Sequence, residues 1–254
     1  MREIALITGA SSGFGYEFVK LFAQDKYDMI LVARNIDRLT EIKSEFKDVN
    51  ITVIQKDLTK PNAVKELYSE IKSKNLSVDI LVNNAGFGLF GEFDKLSVES
   101  QSNMISLNIS VLTELSHYAI QEMKLRKHGK IINIASLGSF QPAPMMAVYC
   151  ATKAYVLSFS EALARELKGS GITVTTLCPG ASKTNFGKVA SVENTRMFKN
   201  PMSASSVVKI GYKAMHKGAR VVIPGIVNKA MAYTSKFLPR KLVVHMIGAF
   251  TKEI

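Results

Sequence analysis

The sequence predicts a doubly wound α/β fold, a parallel sheet of seven strands with helices on both faces. Three observations carry this. Apolar runs of strand length alternate with helix-period patterns almost throughout the chain. Several of those runs are continuously apolar, as suits strands covered on both faces. The first run leads straight into a glycine-rich turn, Thr8-Gly9-Ala10-Ser11-Ser12-Gly13-Phe14-Gly15, which opens a helical pattern through Phe18, Val19, Leu21 and Phe22.

The strands are expected at Ile4–Thr8, 27–33, Ile51–Gln55, 78–83, 130–135, Ile172–Leu177 and 220–223. Helix start signals lie between them. Asn35 can cap the helix after the second strand, Pro61 can sit in the first turn of the next, and Ser203 can cap the helix before the last strand. No repeat, low-complexity stretch or linker interrupts the pattern. One domain over residues 1–254 is expected, with 226–254 as an amphipathic, basic helical tail.

The glycine turn between strand and helix is where such a sheet holds phosphates. Glycine allows the tight turn and the close approach, and the free N–H groups at the helix start face the anion. About 20 residues on, an NAD site places an acid for the ribose 2′-hydroxyl. Arg34 stands there instead. A guanidinium attracts a 2′-phosphate where an acid would repel it, so NADP(H) is expected over NAD. The competing reading is a plain surface charge. Asp57-Leu58 closes the third strand; Asp57 suits either the adenine amino group or a cap for the segment beginning at Pro61. Asn83-Asn84-Ala85-Gly86 ends the fourth strand, where amides brace the sheet and glycine leaves room.

Ser136 follows the fifth strand, and Tyr149 and Lys153 stand four apart at the start of the next helix, on one face. A tyrosine of pKa about 10 is a poor base at neutral pH. A lysine cation about 5 Å away, at an effective dielectric of about 20, favours the phenolate by roughly 3 kcal/mol. That is about two pKa units, enough for acid–base work. Taken alone, the same spacing is more often a surface helix pair.

Taken together, the glycine turn, Asn83-Asn84-Ala85-Gly86, Asn108, Ser136, Tyr149-x-x-x-Lys153, and Pro179-Gly180 with Thr184 resemble the short-chain dehydrogenase/reductase family, in its short single-domain branch. The resemblance implies a Rossmann-type fold and residue roles. Tyr149 would exchange a proton with the substrate oxygen. Lys153 would lower the Tyr149 pKa and bond the nicotinamide ribose. Ser136 would hold the reacting oxygen, and Asn108 a water of a proton relay. Gly9, Ser11, Ser12, Phe14 and Gly15 would line the phosphate and adenosine end, with Arg34 on the 2′-phosphate and Asp57 and Leu58 at adenine. Asn84, Ala85 and Gly86 would border the nicotinamide ribose, and Pro179, Gly180 and Thr184 the nicotinamide.

An apolar substrate pocket is expected from Phe140, Met145 and Phe186 beside Ser136 and Tyr149, with Phe87, Phe90, Leu137, Pro142 and Met146 near in sequence. The segment 181–202 reads as a mobile lid that Phe186, Met197 and Phe198 could close. In the tail, Pro239 divides two helices, and Leu242, Val243, Met246, Ile247 and Phe250 can share one face. Packing on the domain or on a second subunit is the first reading. Peripheral membrane contact through Lys229, Lys236, Arg240 and Lys241 is the second.

Charge is uneven. Of the net +12, residues 183–254 hold +11, from 13 Lys/Arg against 2 Asp/Glu. That excess suits anionic substrates, acidic carrier proteins or anionic lipid. Nucleic acid is not expected, since there is no compact Lys/Arg block and no DNA-binding module. Cys150 and Cys178 fit a reduced cytoplasmic protein, and His117, His128, His216 and His245 have no metal-ligand spacing with them, so no zinc site is expected. No apolar run reaches the roughly 18 residues of a spanning helix, and no signal-peptide pattern opens the chain. The expected activity is NADP(H)-linked carbonyl reduction or alcohol oxidation on an apolar ketone, steroid-like or acyl substrate, in a homodimer or homotetramer. The rivals are a non-catalytic dinucleotide sensor that kept the fold and, disfavoured by the short C-terminal part, a sugar-nucleotide epimerase.

Overall fold

The structure, a computed structural model, describes residues 2–251; the side chain of Lys236 lies outside what is described. The chain runs β1 (Ile4–Thr8), α1 (Gly13–Gln24), β2 (Asp28–Ala33), α2 (Ile36–Glu45), β3 (Ile51–Gln55), α3 (Ala63–Ser73), β4 (Ile80–Asn83) and α4 (Val98–Ile105). A π-helical stretch, Ser106–Val111, then joins α4 to α5 (Leu112–Arg126). There follow β5 (Gly129–Ile134), α6 (Ala147–Glu166), β6 (Ile172–Leu177), β7 (Ser182–Lys183), α7 (Phe186–Val189), β8 (Met202–Ser203), α8 (Ala204–His216), β9 (Val221–Val222), α9 (Ile226–Phe237) and α10 (Arg240–Phe250).

Seven parallel strands form the main sheet in the order β3-β2-β1-β4-β5-β6-β9. The continuous apolar runs have the predicted cause. In β1, Ala5 and Ile7 enter the core under α1 and α8, while Leu6 enters the one under α3 and α5. Both faces are therefore buried, and no position in the run is free to be polar. The order reverses between β1 and β4, which opens a crevice at the carboxyl ends of the strands.

Asn35 caps α2, its Oδ1 accepting from Arg38 N at 2.9 Å, and Ser203 caps α8 through Ser206 N at 3.2 Å. Pro61 lies outside its helix: α3 begins at Ala63 behind a left-handed Asn62. Two features escaped the sequence reading. One is the π-helical stretch. The other is a parallel pairing of β7 with β8, which ties the two ends of the 181–202 segment together.

Pro239 separates α9 from α10, and both pack on the body of the chain. Val243 and Ile247 are buried with Met146, Tyr149, Ala190 and Val192, and Ala232 with Leu112, Ala135 and Val156. Among the described residues no helix is long and apolar enough to cross a membrane.

Candidate active site

One cleft of about 1200 Å³ runs along the carboxyl edge of the sheet, from Arg34 and Asp57 at one end to Tyr149 and Phe186 at the other. Each end of it is built by a strand terminus.

At the first end the glycine turn is held by Asn84, just past β4, and by Thr8 at the end of β1. Gly9 sits at φ 63°, a left-handed conformation that glycine adopts without penalty. Asn84 donates through Nδ2 to the carbonyls of Thr8 (2.8 Å) and Gly9 (3.2 Å). Thr8 Oγ1 accepts from the amides of Asn84 and Ala85, each at 3.0 Å. Asn84 therefore braces the turn. Gly15 brings α1 against that brace: a Cβ there would lie 2.2 Å from Gly9 O and 2.7 Å from Asn84 Nδ2. Ser12 stands at the N-cap of α1 with no side-chain capping bond, and with Ser11 and Phe14 it lines the cleft.

Arg34, Asn35, Lys56, Asp57 and Leu58 line the same end. The Arg34 guanidinium has no ion-pair partner within bonding distance among the described residues, whereas Lys56 is paired with Glu66 at 3.1 Å. Asp57 Oδ1 accepts from Thr59 N (3.1 Å) and Thr59 Oγ1 (2.7 Å), a local turn rather than a helix cap, since α3 starts at Ala63 behind Asn62. Burial raises the Asp57 pKa, but the Thr59 hydrogen bonds and the Arg34 charge outweigh it and hold the carboxyl below its usual range.

At the other end α6 presents Tyr149 and Lys153, both buried. Lys153 Nζ donates to Ile134 O at 2.8 Å and lies 5.9 Å from the centre of the Tyr149 ring. Ser136 lies beside the Tyr149 hydroxyl and favours its ionised form. The Ser136 loop is held in turn by Ser139, a residue the sequence reading missed. Ser139 Oγ donates to Lys153 O at 2.8 Å and accepts from Ser136 N at 3.3 Å. The capping spacing Ser136-x-x-Ser139 was the available signal. Asn108 sits in the π-helical stretch. Its Nδ2 donates to Phe87 O and Thr152 Oγ1, both at 3.0 Å, and its Oδ1 accepts from Phe87 N at 3.2 Å. Both donors of the amide are therefore taken by protein partners. A Cβ on Gly86 would fall 2.8 Å from Asn108 Oδ1.

Electrostatics differ from the expectation in one respect. Burial pushes the Tyr149 phenol up, and the Ser136 hydroxyl offsets this only in part. Lys153 is pushed down to about 8, again by burial. The sequence arithmetic placed a charged lysine beside a partly solvated phenol. In the protein alone both groups are buried, and desolvation is the largest influence on each. The lysine shift gives a testable sign. Its folded-state value, about 8, lies below the unfolded value of 10.5, so the unfolded chain binds more protons between those pH values. Stability should therefore rise with pH across that window. The margin by which Lys153→Met exceeds wild type in Tm should narrow there, by roughly 2–4 °C per kcal/mol. A margin independent of pH would show that Lys153 is not desolvated.

Pro179, Gly180 and Thr184 line the cleft, the Pro179 carbonyl accepting from Leu137 N at 2.7 Å. On the substrate side Phe186 meets Tyr149, ring centres 5.3 Å apart. Two expected residues are misplaced. Phe140 does not line the cleft but packs with Leu112, Val156 and Ala232 under α9. Met145 is left-handed (φ 67°), its carbonyl accepts from Gly91 N, and it also stays off the cleft. Gln141 and Met146, each one residue on, take their places. The lid segment is ordered into α7 and a 3₁₀ turn, Arg196–Phe198, with Ala190, Val192 and Thr195 buried.

The sequence pattern described as short chain dehydrogenase matches residues 3–194. The chain is similar to NADP-dependent 3-hydroxy acid dehydrogenase YdfG of Escherichia coli (strain K12), 37% identical over 188 residues, or 73% of this chain and 75% of that one. A short-chain dehydrogenase from Sphingobium yanoikuyae, solved in complex with NADPH, matches at TM-score 0.83 and 29% identity over 94% of this chain and 97% of its own. The bulky-bulky ketone specific alcohol dehydrogenase of Comamonas testosteroni matches at TM-score 0.77 and 28% identity over 94% and 95%. With the parallel sheet, the braced glycine turn and the Ser136–Tyr149–Lys153 arrangement in place, the chain belongs to the short-chain dehydrogenase family of oxidoreductases.

Proposed function

We propose that this protein is an NADP(H)-dependent oxidoreductase that interconverts an apolar ketone and its secondary alcohol, with Tyr149 as the proton donor and acceptor. The observation that carries the reading is the cleft that joins Arg34, a guanidinium with no ion pair among the described residues, to Ser136 and the buried Tyr149 and Lys153. The chain's own residues fit the cofactor. The turn at Gly9 offers backbone N–H groups at the start of α1, and Gly86 keeps open the space beside Asn108 and Lys153. A bound nicotinamide supplies or takes the hydride. Everything else falls to protein groups. Arg34 would hold the 2′-phosphate, Asp57 Oδ2 and Leu58 would border adenine, and Pro179, Gly180 and Thr184 would fix the nicotinamide end. Ser136 would hold the substrate oxygen, Tyr149 Oη would exchange its proton, and Lys153 would stabilise the phenolate left behind. Residues 1–254 would act as one domain in this reading, with α9 and α10 as the wall of its substrate side.

Substrate preference is inferred from the lining. Phe87, Met146, Phe186, Met197, Phe198 and Ile247 face the cleft, so burying apolar surface is the main source of affinity there. A second reading, a 3-hydroxy acid, has Arg196 and Lys199 in its favour; both line the cleft and neither has an acidic partner among the described residues. Both are exposed, however, and an exposed ion pair is worth only about 0–1 kcal/mol, against about 1.5–3 kcal/mol for one buried apolar side chain. The apolar ketone is therefore preferred. Following NADPH oxidation with a bulky aryl ketone and, in reverse, NADP⁺ reduction with a 3-hydroxy acid separates the readings. Faster turnover per KM with the acid would reverse the assignment.

Arg34→Glu should invert the nucleotide preference. It removes a charge-assisted contact worth about 1.5–3 kcal/mol and sets an acid against the phosphate, so NADPH affinity should fall by on the order of 10²-fold while NADH affinity holds or improves. Unchanged NADPH affinity in the variant would mean that Arg34 does not reach the 2′-phosphate.

A further inference from the structure

We propose that the mouth of the cleft docks on an anionic lipid surface through α9 and α10, and that apolar carbonyl substrates enter from the bilayer. The rim is unusual for an opening onto water. Val189, Ile226, Val227 and Phe250 all line the cleft, yet they are 59%, 86%, 72% and 44% exposed. Apolar groups that both line a cleft and face solvent mark an edge made for contact with something apolar.

The patch continues along α9. Ile226, Ala230, Tyr233 and Phe237 follow the i, i+4, i+7, i+11 spacing of one helical face, which is exposed along its whole length, Phe237 at 85%. The opposite side of α9 is buried through Ala232, so the outward stripe is not a core face left open. On α10, Val243 and Ile247 enter the core while Leu242, Met246 and Phe250, on the adjoining arc, remain exposed. Cations flank both stripes: Lys229 beside that of α9, Arg240 and Lys241 in the first turn of α10, and Arg196 and Lys199 at the rim. From residue 189 to 250, the span that holds the rim and both helices, the sequence has ten Lys/Arg against one acid, Glu193.

Charge selects the occupant. A second copy related by a two-fold axis would set this predominantly basic surface against itself, largely cation facing cation. An anionic leaflet attracts such a surface and accepts the apolar stripes between its headgroups. A lipid surface also leaves the mouth open to molecules dissolved in it, which a folded partner covering the rim would not. Entry of substrate from the bilayer rests on the oxidoreductase reading; docking itself does not.

The test is co-sedimentation of the full chain with phosphatidylcholine vesicles, with and without phosphatidylglycerol, at low and high salt. Binding should require phosphatidylglycerol and weaken with salt. Lys229→Gln with Lys241→Gln should lower the partition coefficient roughly thirtyfold, and Phe237→Ser roughly tenfold. None of these three residues lines the cleft, so NADPH-dependent turnover of a water-soluble ketone should persist in both variants, showing that they fold. Failure of the wild type to pellet while it turns over ketone would overturn docking and leave the enzyme reading intact. Equal binding to neutral vesicles, or a dimer that Phe237→Ser dissociates without any vesicle binding, would also overturn it.

Discussion

Tyr149→Phe is expected to lower turnover by about 10²–10⁴-fold, the usual contribution of a positioned acid–base group, with NADPH affinity nearly unchanged. The substitution removes one hydroxyl and keeps the ring. The contact with Phe186 at 5.3 Å and the buried packing with Met146 and Ile247 remain, so the fold should hold. What goes is the hydroxyl beside Ser136, and with it the proton that must reach the substrate oxygen. The check is steady-state NADPH oxidation beside an NADPH titration of the same variant. Turnover within about tenfold of wild type would assign the proton to another group. Turnover absent from both forms, with NADPH still bound, would favour a sensor over an enzyme.

Gly15→Ala should be the most damaging single methyl at the nucleotide end. The new Cβ would stand 2.2 Å from Gly9 O and 2.7 Å from Asn84 Nδ2. The first of these is backbone, held by the hydrogen bond from Asn84 to Gly9 O at 3.2 Å. α1 must therefore move away from the turn that would hold the phosphates. Overpacking of this kind costs about 1–3 kcal/mol. If that cost falls on the cofactor-binding geometry, NADPH affinity should drop about tenfold or more, with Tm lower by a few degrees. Thermal melts with and without NADPH read both effects. An alanine variant that binds NADPH as wild type does would show that the turn and α1 need not be held so closely.

The sheet was legible because its signal is local and redundant. Continuous apolar runs marked the strands, and Asn35 and Ser203 marked helix starts that the structure places there. The boundaries that moved were set by tertiary contacts: Val78 is buried ahead of β4 but makes no ladder, and the last strand keeps only Val221 and Val222. The residues of the candidate site were legible as motifs, but their immediate partners were not. Asn84 turned out to brace the glycine turn, and Asn108 spends its amide on Phe87 and Thr152, because hydrogen bonds between residues 21 to 76 apart leave no mark in spacing. Phe140 and Met145 failed as lining residues because sequence distance from Ser136 and Tyr149 says nothing of which side of the backbone faces the cleft. Tyr149's raised pKa was missed because desolvation depends on what covers the phenol, including Ile247 from α10, nearly a hundred residues away.

The most direct test of the central claim is a parallel fluorescence titration of the wild-type chain with NADPH and NADH. The chain has no Trp, so nucleotide emission stands clear of the protein's own. NADPH binding at least about tenfold tighter than NADH is the predicted result, since Arg34 adds a charge-assisted contact that only the 2′-phosphate can make. Equal affinity, or a preference for NADH, would contradict the account at the residue on which its cofactor assignment rests.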